Sequence, residues 1–95
     1  MHLIITDILK YFPNMHKTYL LRTVKPTGDY RLVNGALYHI YTPDSIRTAM
    51  IERRNVALTA TRLPRKSREE SLDNIHRVLN ALNKFEKEHN EQNKN

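Results

Sequence analysis

Asn34-Gly35, set between Tyr30-Arg31-Leu32-Val33 and Ala36-Leu37-Tyr38-His39-Ile40-Tyr41, constrains the fold of this chain more than any other feature. A two-residue type I′ turn needs positive φ at both central positions, which Asn and Gly supply, and the flanks are rich in β-branched and aromatic residues. The segment therefore predicts a β-hairpin that pairs Val33 with Ala36, Leu32 with Leu37, Arg31 with Tyr38 and Tyr30 with His39. One face then holds Tyr30, Leu32, Leu37, His39 and Tyr41, and the other Arg31, Val33, Ala36, Tyr38 and Ile40. A lone hairpin is marginal in water, so one face is expected to pack on helices, and the face with Arg31 and Tyr38 is assigned to solvent or a partner.

The rest of the chain reads as helices. With only two glycines and four prolines among 95 residues, each is punctuation. Leu3, Ile4, Ile5, Ile8, Leu9 and Phe12 recur with helical spacing, which predicts a helix from about residue 3 to Tyr11, ended by Pro13. Asn14 suits the cap of a second helix with Tyr19, Leu20 and Val24 on one side and His16, Lys17 and Arg22 toward solvent. Lys25 to Asp29 is a turn. Thr42-Pro43-Asp44 predicts the start of a third helix, with Ile46, Ala49 and Met50 on one face and a stop at Asn55. Val56 to Leu63 fits a short strand or a helix, and Pro64 ends it. Ser67 with Glu70 is a capping box that opens a long helix, whose stripe of Leu72, Ile75, Leu79 and Leu82 is widened by Val78 and Phe85. Beyond Glu88 there is no apolar anchor, and residues 89–95 are expected to be a disordered tail.

Charge is distributed unevenly. The net charge is +6, but residues 1–68 hold twelve basic and four acidic side chains, a net of +8, and residues 69–95 hold four and six, a net of −2. Such a polycation is attracted to polyanions, nucleic acid being the commonest. With 39% apolar residues and no apolar run of bilayer length, the chain is not expected to span a membrane. The acidic residue at position 7 and the missing basic leader argue against a secretory signal, and the expected location is the cytoplasm. Zero cysteines exclude disulfides, thiolate metal sites and cysteine nucleophiles.

Enzymatic chemistry is not expected, nor any cofactor or metal. His2, His16, His39, His76 and His89 include no pair at i, i+3 or i, i+4, and Asp73 with His76 or Glu86 with His89 are lone pairs on polar helix faces. The two glycines form no phosphate loop. Residues 1–68 contain only Asp7, Asp29, Asp44 and Glu52 as acids, too scattered for a Mg²⁺ site.

The order helix, turn, helix, hairpin and then a helix opening at Tyr41-Thr42-Pro43-Asp44 resembles the small winged-helix DNA-binding domains of the MerR and phage-excisionase group. Met15-His16-Lys17-Thr18-Tyr19-Leu20-Leu21-Arg22 is similar to the recognition helix of that group, and Tyr38 to Ile46 to its wing-to-helix step. The resemblance covers residues 3 to about 55, with Pro13-Asn14 where the group usually has a glycine. It implies an α+β fold, a small winged helix-turn-helix whose hairpin is the wing, over residues 1–63. Residues 64–88 would then be a C-terminal amphipathic helix.

Two functions follow as expectations. The first is a sequence-specific DNA-binding protein, a transcription regulator or an excisionase-like recombination directionality factor. Its helix would read double-stranded DNA with His16, Lys17, Thr18 and Arg22, while Lys25 and Arg31 meet phosphate. Arg47, Arg53, Arg54, Arg62, Arg65, Lys66 and Arg68, seven cations in 22 residues, would form a backbone-contacting track. The competing account of that track is a solvated face with surface ion pairs worth under about 1 kcal/mol each. Leu72, Ile75, Leu79, Leu82 and Phe85 are expected to make a homodimer, although packing onto the parent domain fits them equally. The second function is a phage or plasmid interaction module that presents those five residues to a host protein.

Overall fold

The computed structural model describes residues 1–59, 62 and 64–92, the last three of these as backbone. It is an α+β fold of four helices and one two-stranded antiparallel hairpin: α1 (Ile5–Tyr11), α2 (Lys17–Thr23), β1 (Tyr30–Val33), β2 (Ala36–His39), α3 (Pro43–Thr59) and α4 (Arg65–Gln92).

Each helix start has a local cause. At α1 the Asp7 carboxylate accepts a hydrogen bond from the Ile4 backbone N–H at 3.1 Å, satisfying a donor the helix leaves free. Met15 N–H bonds to the Phe12 carbonyl and its side chain is buried. That extra turn delays α2, which is preceded by His16 rather than capped by Asn14. α3 begins as its sequence predicts. The Ser45 N–H donates to Thr42 Oγ1 at 3.1 Å, and the Thr42 N–H donates to Ser45 Oγ at 3.0 Å, a reciprocal box with Pro43 at the first helical position. α3 continues past the expected stop at Asn55 to Thr59, whose hydroxyl donates to the Asn55 carbonyl. Residues 60, 61 and 63 of the segment with two readings lie outside the described residues. α4 begins before the expected Ser67 cap, because Arg68 N–H reaches the Pro64 carbonyl one turn earlier.

The hairpin has the register its turn dictates, Val33 opposite Ala36 through Tyr30 opposite His39. Asn34 and Gly35 have φ of 50° and 82°, as a type I′ turn requires. The ladder continues below the strands: Thr27 N–H donates to the Ile40 carbonyl, and Ile40 N–H to that of Asp29. Gly28, at φ 99°, bends the chain so that both neighbours reach one residue. Tyr41 then turns its backbone to the opposite side and exchanges two hydrogen bonds with Leu3, at 2.8 and 2.7 Å.

The faces of the hairpin are the reverse of the expectation. Arg31, Val33 and Tyr38 are half-buried, while Tyr30, Leu32, Leu37 and His39 are exposed. Arg31 is turned inward because it has partners there: its Nη2 donates to the His2 carbonyl at 3.1 Å, and its Nη1 lies 3.9 Å from Asp7 Oδ2. The charged face thus packs on the N-terminal segment, and the apolar one is left in solvent.

A single buried cluster joins Leu3, Ile8, Phe12, Met15, Leu20, Val24, Tyr41, Ile46, Ala49 and Met50 with Ile75, Val78, Leu82 and Phe85 of α4. It draws on both sides of the boundary expected at residue 63. Ile75, Leu82 and Phe85, expected at a dimer contact, are buried within the chain, and Leu72 and Leu79 are half-buried. The physical reason is the small front core: α1, α2 and α3 leave an apolar surface that the stripe of α4 covers. Arg47 of α3 ties that helix to α4. It forms an ion pair with Glu86 and a second with Asp44 at 3.2 Å. At the far end, α4 runs through Glu88 to Gln92, where fraying was expected. The His89 ring sits 3.9 Å from the Phe85 ring and its Nδ1 is 2.8 Å from the Phe85 carbonyl, which supplies the missing anchor. Residues 93–95 of the expected tail lie outside the described residues.

Candidate nucleic-acid interface

α2 is the element on which the expected base-reading residues converge. Burial of Leu20 and Val24 fixes the orientation of the helix. Lys17, Thr18, Leu21 and Arg22 then stand exposed at positions i, i+1, i+4 and i+5, one contiguous face, with His16 exposed at its start. Leu21 is 55% exposed. It was missed because it is apolar; a helical wheel with Leu20 and Val24 inward finds it. Lys17 and Arg22 enter no ion pair among the described residues, so their donors are free.

The other cations expected to meet DNA separate into three groups. Arg53 and Lys25 flank α2. Arg53 shares a shallow groove with Tyr19 of α2 and Ser71 and Asn74 of α4, and Lys25 lines one of about 230 Å³ with Thr23, Asp44, Thr48 and Glu52. The two acids lower the local potential at Lys25, which makes it a weaker phosphate contact than its exposure alone suggests. Arg31 and Arg47 are occupied. Arg31 holds the hairpin to the N-terminal segment while its side chain stays 42% exposed, and Arg47 bridges Asp44 and Glu86.

The third group is the expected track from Arg62 to Arg68, with Arg54 before it. Arg62, Arg65 and Lys66 are exposed, and Arg54 and Arg68 are half-buried. Acids are interleaved with them. Arg65 Nε pairs with Glu69 at 3.0 Å, and Lys66 shares a groove with Glu69, Glu70 and Asp73. Arg68 lies in a small groove between Ala57, Leu58 and Leu72, where its Nε has no hydrogen-bond partner among the described residues. The track is therefore a mixed surface with a positive excess, not a continuous run of free cations.

Among the described residues no three His, Asp or Glu side chains gather closely enough to hold a metal ion. The Tyr41 hydroxyl is pushed above its ordinary value by burial, and Tyr41 is a residue of the buried core. No described helix is long and apolar enough to cross a membrane. Comparison with family models, with curated proteins and with solved structures finds no match.

Proposed function

We propose that this chain is a small sequence-specific DNA-binding protein, a transcription regulator or recombination directionality factor, built as a winged helix-turn-helix. α2 enters the major groove and the hairpin serves as its wing. The observation that supports this reading is the solvent face of α2. Lys17 and Arg22 donate to guanine O6 and N7, Thr18 offers a hydroxyl to either strand, and Leu21 meets a thymine methyl group. Seven residues at 1.5 Å rise make a helix of about 10 Å, a length that fits across a major groove roughly 12 Å wide. Arg53 and Lys25 flank it as phosphate contacts, and Arg31 keeps the wing at a fixed angle instead of touching DNA.

Presentation of the α4 stripe to a host protein is the weaker reading, since Ile75, Leu82 and Phe85 are buried in the chain's own core. A partner would have to unfold the domain to reach them.

Selection from a randomised duplex pool tests the proposal. The wild-type chain enriches a short motif, and Arg22→Ala enriches one with relaxed preference at a single base pair, a loss of about 1–3 kcal/mol of discrimination there. A pool that stays random after repeated rounds removes the proposal.

A further inference from the structure

The outer face of the hairpin places four side chains without formal charge side by side. Leu32 and Leu37 are direct cross-strand partners, 67% and 68% exposed. The neighbouring pair, Tyr30 and His39, lies on the same face with ring centroids 4.8 Å apart. Two leucines this exposed, opposite each other and beside a tilted ring pair, form an apolar patch in a chain whose net charge is +6.

Charge and area together indicate what covers it. Nucleic acid backbone is met by cations, and this face has none. The hairpin belongs to the part of the chain, residues 1–68, that carries a net of +8, so two such parts repel where their cations meet, and a contact between them needs a neutral face, which this one is. The face is also compatible with a two-fold axis, because Leu32 and Leu37 of one copy can lie on the same two residues of the other. Four partly exposed side chains make a patch smaller than the roughly 800 Å² per partner found in stable interfaces. Of the α4 stripe that the sequence offered for dimerisation, Ile75, Leu82 and Phe85 are taken up by the core.

We propose that the outer hairpin face is a self-association surface on which two copies of this chain meet sheet to sheet, weakly in free solution. The contact is independent of whether the chain binds DNA, and its test uses the protein alone.

Because the chain has no cysteine, Leu37→Cys and Leu32→Cys each introduce a single thiol on the face. Leu58→Cys, at a position 58% exposed on α3, is the control. A short bismaleimide linker is expected to join Leu37→Cys and Leu32→Cys copies about tenfold faster or more than Leu58→Cys copies, the signature of raised effective concentration. Sedimentation of the wild type up to about 1 mM should show concentration-dependent dimer, lost in Leu32→Ser/Leu37→Ser with circular dichroism unchanged. Equal linking rates at all three positions, or a wild type that stays monomeric throughout that range, would overturn the proposal. So would a monomeric wild type whose duplex-DNA affinity falls on Leu32→Ser, which would assign the face to DNA.

Discussion

The Tyr11 ring of α1 lies 4.8 Å from the Phe85 ring of α4, and Phe12 reaches the same ring at 5.7 Å. The end of the first helix and the last helix therefore share an aromatic cluster, and α4 belongs to the core. Phe85→Ala should cost about 3–5 kcal/mol, the loss for a large buried aromatic. Urea denaturation measures it, and a chain ended before Pro64 should not fold. A cost below about 1 kcal/mol would mean that α4 is an appendage.

Arg47 and Glu86 are each only about 30% exposed, with side-chain accessibilities of 30% and 31%. A double-mutant cycle with Arg47→Ala and Glu86→Ala should give a coupling of about 1 kcal/mol, at or above the upper end for exposed pairs. Because Arg47 is engaged within the fold, Arg47→Ala with the fold intact should leave duplex-DNA affinity unchanged within about twofold.

How much of this arrangement could be read in advance differs by element. The hairpin register follows from Asn34-Gly35 alone, since a two-residue turn fixes which residues pair. Its orientation does not, because each face mixes apolar and polar residues and the choice is made by His2 and Asp7, both distant in sequence from Arg31. The stripe of α4 is visible as a helix period, but periodicity reports that a face is apolar and not what covers it. Phe12 and Tyr11 decide that. The exposed set on α2 was legible except for Leu21, and the pairing of Arg65 with Glu69 is an instance of the surface ion pairs that the sequence reading set beside the basic track.

Gly35 has φ 82° and open space where a Cβ would stand. Gly35→Ala therefore meets no clash, and its cost is the backbone penalty alone, about 1–2 kcal/mol. The thermal midpoint should fall by several degrees, while Gly35→Asn should recover part of the loss, since Asn tolerates the left-handed region.

Burial raises the Tyr41 hydroxyl above its ordinary value of 10.0. The folded state then holds that proton more tightly than the unfolded state, so stability falls as pH rises. The contribution is fully present below pH 10 and is lost as pH climbs from there through the folded-state value. Denaturation across that range should show an alkaline decline that Tyr41→Phe reduces. An identical decline in the variant would place its origin elsewhere.

The account rests above all on the exposed face of α2 and its flanking cations meeting a duplex. Titration against random duplex DNA at about 50 and 200 mM salt tests this most directly. Phosphate contacts from Lys25 and Arg53 predict an affinity loss on the order of tenfold between the two, and Lys25→Ala/Arg53→Ala should flatten the log-log slope by nearly two. No duplex binding at the lower salt, or a slope unmoved by the double variant, would contradict it.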